Sequence, residues 1–126
     1  MSMRSALGRV RGLGSAKSGT GHWWSQRLSA IALVPLTLWF IGSLVVLAGA
    51  SYAEIIAWVS SPIVASLLVL LVATTFYHSY LGLQVVIEDY VHNEPLKLAT
   101  LIVVQGASFV LALIGIVSVF MLLFGG

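Results

Sequence analysis

The sequence contains no cysteine. Disulfides, thiolate metal ligands and cysteine-held iron–sulfur clusters are therefore beyond what this chain can supply, and its redox compartment stays open. Charge is scarce too. Asp, Glu, Lys and Arg make up 8% of the 126 residues, against about 25% in soluble domains. A net charge of +2 is too small to argue for nucleic acid. There is no internal repeat and no low-complexity segment. Apolar sequence fills the chain instead: hydrophobic residues account for 60% of it, and the mean hydropathy is +1.06. Such a composition belongs to an integral membrane protein.

Three stretches carry that character. Leu28 to Gly49 has no charged residue, Pro62 to Ile87 has none and a single histidine, and Leu98 to Phe124 has none. Each exceeds the roughly 20 residues that cross about 30 Å of hydrocarbon. The expected fold is an all-α membrane protein with transmembrane helices at about 28–49, 62–89 and 98–124. No length remains for a soluble domain. Three helices with so few functional side chains rarely make a complete machine, so partner subunits are expected.

The few charges are placed unevenly. Arg4, Arg9, Arg11, Lys17 and Arg27 precede the first span, Lys97 lies in the second loop, and the first loop has neither Lys nor Arg. The positive-inside bias puts the N-terminus and second loop in the cytoplasm, with the first loop and C-terminus on the opposite side. Residues 1–21 are rich in Ser, Gly, Arg and Lys and have no acid. They read as a flexible basic tail near an anionic leaflet, with a mitochondrial transit peptide as the alternative. A cleaved signal peptide ending at Ser51-Tyr52-Ala53 is excluded, because both the leading segment and the apolar run are too long. Residues 22–126 form the expected three-helix domain. A bacterial inner membrane is expected over a mitochondrial one, on the short head.

Between tail and first span lies His22-Trp23-Trp24-Ser25-Gln26-Arg27. Paired tryptophans suit the membrane interface. Arg27 can snorkel to the headgroups, and its fork also holds carboxylates and phosphates. Pro35 should kink the first helix, while Gly42 and Ser43 offer close helix contact. Ala53 to Val59 reads as a short interfacial helix. Ser60-Ser61-Pro62 reads as a helix start with a serine cap and proline in the first turn. Asn93-Glu94-Pro95 ends one helix and sets up the next. The last span carries Gln105, suited to an interhelical hydrogen bond, and the small residues Gly106, Ser108, Ala112 and Gly115.

The chemistry concentrates in His78 to His92. A histidine inside an apolar span is costly and is by default a functional candidate. Asp89 follows His78 by eleven positions. That is about three helical turns, so both share a face, roughly 16 Å apart, with Gly82 and Val85 between them. His78 could be satisfied by a hydroxyl on a neighbouring helix, relay protons, or ligate haem iron. A metal site is weak, since no second ligand shares its face. Haem suits the space left by Gly82, but a second imidazole would have to come from another chain. Glu88, Asp89, Tyr90 and His92 read either as a solvated helix end or as a place where a lipophilic quinone meets a phenol and proton-exchanging groups.

The pattern His78-Ser79-x-x-Gly82-x-x-x-Val86-x-x-Asp89-Tyr90-Val91, with the approach His22-Trp23-Trp24-x-x-Arg27-x-x-Ala30, resembles the hydrophobic membrane-anchor subunits of succinate dehydrogenase, respiratory complex II. The resemblance runs from His22 to the end. It implies that His78 is an axial ligand of haem b, with the other axial histidine on a companion cytochrome b subunit. Tyr90, beside Asp89, stands where the family binds the ubiquinone carbonyl. Arg27 matches an arginine near the haem propionates and quinone pocket, and His22 a histidine near the same surface. Glu88 falls outside the pattern. A flavoprotein and an iron–sulfur subunit are the implied soluble partners, docked on the cytoplasmic face, and the chain alone should catalyse nothing. The alternatives are a haem b anchor of another quinone-linked dehydrogenase, such as fumarate reductase, and a small transporter subunit with His78 as proton relay.

Overall fold

A computed structural model describes residues 16–125. Its element order is α1 (Ala16–Val46), α2 (Tyr52–Val59), α3 (Pro62–Tyr90) and α4 (Glu94–Gly125), with no strand among the described residues. Three of these helices are long and apolar enough to cross a membrane. The expected all-α architecture is therefore what the chain adopts. Residues 1–15 of the expected basic tail lie outside the described residues, and residues 16–21 are already helical.

Local chemistry explains each boundary. After α1 the chain turns through Gly49, at φ +80, a conformation that only glycine adopts without strain. A capping box opens α2: the Glu54 N–H donates to Ser51 Oγ at 3.2 Å, and the Ser51 N–H donates to Glu54 Oε2 at 2.7 Å. Pro62 occupies the first turn of α3, as expected. Ser61 is its N-cap, yet its side chain makes no capping bond. Ser60 instead donates from Oγ to the Ile56 carbonyl, closing α2. α3 ends at Tyr90, and Asn93 Oδ1 accepts from the Leu96 N–H at 3.0 Å to start α4. α1 runs helically through Pro35.

α3 is the central element. It packs against both α1 and α4, while no Cα of α1 comes within 8 Å of one in α4. Gly115 brings α4 against α3, since a Cβ built there would sit 2.8 Å from Val72 Cγ1. Gly42 and Gly106 meet nothing within 4 Å and are not the contact points expected of them. α2 folds back over one end of the bundle. There Trp58 stacks on Trp39 of α1, ring centroids 5.9 Å apart, over a cluster of Val59, Ala65, Leu68 and Val119.

That cluster is the whole of the concentrated core. Among the described residues no large side chain is fully buried, and the outward faces of all three long helices are apolar. In water such a surface would be untenable. In lipid it is matched by acyl chains, and close packing, small residues and hydrogen bonds hold the helices together.

Candidate functional site

The α1–α3 contact holds most of the polar chemistry of the membrane-spanning region. The helices run antiparallel here, so Ser29 of α1 meets His78 of α3, and Gln26, one turn back, meets Gly82, one turn on. Ser29 is only 6% exposed. Its Oγ lies 2.8 Å from His78 Nδ1 and donates to the Gln26 backbone carbonyl at 3.0 Å. His78 is half-buried. Its other ring nitrogen, Nε2, has no hydrogen-bond partner among the described residues and is not sealed in by the chain. The imidazole is thus held at one edge and open at the other.

Next to this pair, toward the helix ends, lies a groove of about 430 Å³ lined by His22, Trp23, Gln26, Arg27, Gly82 and Val85. Gly82 keeps it open: a Cβ there would meet only Gln26 Nε2, at 4.0 Å. Arg27 lies over the Trp23 ring, 5.1 Å from its centroid. His22 Nε2 and Gln26 Oε1 are buried in the fold without hydrogen-bond partners among the described residues. A buried polar atom left so costs about 1–3 kcal/mol. Two of them in one groove, with an arginine at its edge, leave a donor-seeking amide oxygen, an imidazole nitrogen and a cation available to a polar ligand.

The structure therefore brings His22 and Arg27 together in one groove, close along α1 and α3 to His78. Asp89 and Tyr90 are not part of it. They occupy the end of α3, where Tyr90 is 77% exposed. Neither side chain makes a hydrogen bond or ion pair with a described residue. Glu88 accepts from Gln84 Nε2 at 3.1 Å, an ordinary i,i+4 surface pair, which explains why it fits no pattern. Gln105 makes no interhelical hydrogen bond. It is exposed on α4, beside Tyr77, Tyr80 and Ser108 along a smaller groove.

The residues sequence reasoning missed are Ser29 and Gln26. Gln26 had no distinguishing neighbour. Ser29 had a faint signal, a lone hydroxyl near the start of an apolar run, at a depth that antiparallel pairing matches to His78.

Together, a histidine open at Nε2, a neighbouring space without a Cβ, and unpartnered polar atoms with an arginine fit one edge of haem. Arg27 and His22 would meet its propionates, and His78 Nε2 would meet its iron. Among the described residues no three His, Cys, Asp or Glu side chains gather as a metal cluster would need.

Comparison with known proteins identifies the family. The family described as succinate dehydrogenase/fumarate reductase transmembrane subunit matches residues 1–123. A succinate dehydrogenase hydrophobic membrane anchor subunit from Rickettsia bellii (strain RML369-C) is 37% identical over 117 residues, covering 93% of this chain and 94% of its own. One from Paracoccus denitrificans is 30% identical over 120 residues, covering 90% and 93%. A succinate dehydrogenase membrane anchor subunit from Reclinomonas americana is 28% identical over 92 residues, covering 71% and 77%.

Proposed function

The chain belongs to the succinate dehydrogenase/fumarate reductase transmembrane subunit family, and from that premise we propose that it is the hydrophobic anchor of a succinate:quinone oxidoreductase. In this role it tethers a flavoprotein and an iron–sulfur subunit to the membrane. With a companion cytochrome b subunit it completes two sites that neither chain holds alone.

At the first site His78 would hold the iron of haem b through Nε2, with a second imidazole coming from the companion subunit. Arg27 and His22 carry the propionate end. Bound haem b accepts and returns one electron. The side chains of this chain hold it, offset its anionic edge with the arginine, and keep water away from its apolar face. The second site takes the quinone. Tyr90 donates its phenolic proton to a ubiquinone carbonyl, and Asp89 stands beside it as the group that exchanges protons with water. Their exposure supports a site completed by partner surfaces. A quinone reduced there gains two electrons and two protons.

The observation that carries the haem assignment is the asymmetric environment of His78: Nδ1 is held by Ser29, while Nε2 has no partner among the described residues, one helical turn along α3 from Gly82. The same observation argues against a proton-relay transporter. The chain of hydrogen bonds from His78 ends on a backbone carbonyl, which passes no proton on. The relatives' printed names favour succinate dehydrogenase over fumarate reductase as the parent complex.

The test is His78→Ala in the assembled complex. Haem b content should fall sharply in the visible spectrum while succinate oxidation by an artificial dye persists. A variant with wild-type haem content and spectrum would overturn the ligand assignment.

A further inference from the structure

A serine hydroxyl has one proton. The Ser29 hydroxyl is 3.0 Å from the Gln26 carbonyl and 2.8 Å from His78 Nδ1, and it can donate to only one of them. The Gln26 carbonyl has no proton of its own. If the hydroxyl turned its proton to Nδ1, two oxygens would face each other at 3.0 Å with nothing between them. With the proton on the carbonyl side, Oγ presents its lone pairs to the imidazole, and Nδ1 must then be the nitrogen that carries hydrogen.

We propose that Ser29 is the positioning residue that fixes His78 as the Nδ1–H tautomer, leaving the Nε2 lone pair free to hold haem iron. This rests on the haem reading above and adds to it the residue that sets which nitrogen is the donor. Metal-bound histidines nearly always give their second ring N–H to an acceptor that fixes the tautomer and ring orientation and raises ligand basicity. Ser29 is this chain's acceptor. Ser29 Oγ is the one partner of Nδ1 among the described residues, and at 6% exposure in the α1–α3 contact it leaves little room for water to replace it. The donation to Gln26 comes from the same helix three residues back. Ser29 is therefore locked by its own backbone before the histidine approaches.

The arrangement makes two predictions that a packing role alone does not. The accepting oxygen adds electron density to the imidazole and favours ferric over ferrous iron, so removing it should raise the haem midpoint potential. It should also weaken haem retention by about tenfold to a hundredfold, the usual cost of losing such a partner. Threonine keeps the hydroxyl and should restore both.

The experiment uses the purified four-subunit complex with wild-type Ser29, Ser29→Ala, Ser29→Thr and His78→Ala. Subunit stoichiometry and dye-linked succinate oxidation serve as checks of assembly. Redox titration of the haem band and haem loss to apomyoglobin are the readouts. The expected result is an upward potential shift and faster haem loss in Ser29→Ala, with Ser29→Thr close to wild type. If His78→Ala lacks haem while Ser29→Ala matches wild type in potential and retention, Ser29 does not set the tautomer and the ligand reading stands. An equal effect of alanine and threonine likewise refutes the hydroxyl's role. If His78→Ala keeps its haem, the ligand reading itself falls.

Discussion

Gly82 of α3 and Gln26 of α1 face each other across the helix contact, with the position of the missing Cβ 4.0 Å from the glutamine's Nε2. The space between them is what opens the groove beside His78. A methyl group there would meet only the end of a flexible amide at ordinary contact distance. Alanine also favours a helix over glycine by about 1 kcal/mol. Gly82→Ala should therefore assemble normally with full haem content. Gly82→Leu adds a branched side chain to the same opening and should lower haem content in pyridine haemochrome assays, while dye-linked succinate oxidation is retained. Full haem in the leucine variant would show that the group lies elsewhere.

The contact between Gly115 and Val72 is tighter. A Cβ at residue 115 would be 2.8 Å from Val72 Cγ1, closer than real atoms come. Unlike a long flexible side chain, valine has a stiff χ1 and cannot swing away. Gly115→Ala should thus push α4 from α3 and cost about 1–3 kcal/mol, the usual range for overpacking. A lower midpoint of thermal inactivation of the detergent-solubilised complex would report it. Val72→Ala combined with Gly115→Ala should recover much of the loss. Gly106→Ala, on the open side of the same helix, should do nothing comparable.

These two glycines show where the sequence is legible and where it is not. Length and hydropathy were enough for three membrane helices, since lipid demands long unbroken apolar runs. Their ends were less readable. α1 is already helical at Ala16, twelve residues before its apolar run, and it continues through Gly19 and Gly21, residues that by propensity argue against a helix there. Gly106 and Gly115 look alike in the sequence, and only packing tells the contact point from the open one. His78 stood out by its polarity, and a hydroxyl partner was foreseeable. Which hydroxyl was not, because Ser29, Thr37, Ser43, Thr74 and Thr75 all lie in the first two spans. Asp89 and Tyr90 were visible as chemistry, yet the chain leaves them exposed, so their site is legible only with partners present.

Tyr90 carries the sharpest functional test. A phenol that hydrogen-bonds a quinone carbonyl as charge builds on it loses that bond when changed to phenylalanine. Bonds to charged groups contribute about 1.5–3 kcal/mol, which corresponds to roughly ten- to a hundredfold in rate. Tyr90→Phe should cut quinone reduction by that factor. Dye-linked succinate oxidation, which bypasses the quinone, should change little. Because the side chain is 77% exposed in this chain, losing its hydroxyl should not disturb the helix bundle. Equal loss in both assays would count against a quinone role.

Orientation follows from charge. Arg27 precedes the first long apolar run, Lys97 lies in the first turn of α4, and the segment between α1 and α3 has neither Lys nor Arg. Three crossings would put the two ends of the chain on opposite sides. The bias toward cytoplasmic Lys and Arg therefore predicts that the C-terminus is outside, and that Asp89 and Tyr90 face the cytoplasm, where the soluble subunits would dock. A reporter that is active only in the cytoplasm, fused after Gly126, should stay silent, and the same reporter inserted after Asn93 should be active. The opposite pattern would put the quinone residues on the far side from succinate oxidation, and the assembly proposed for this chain could not form.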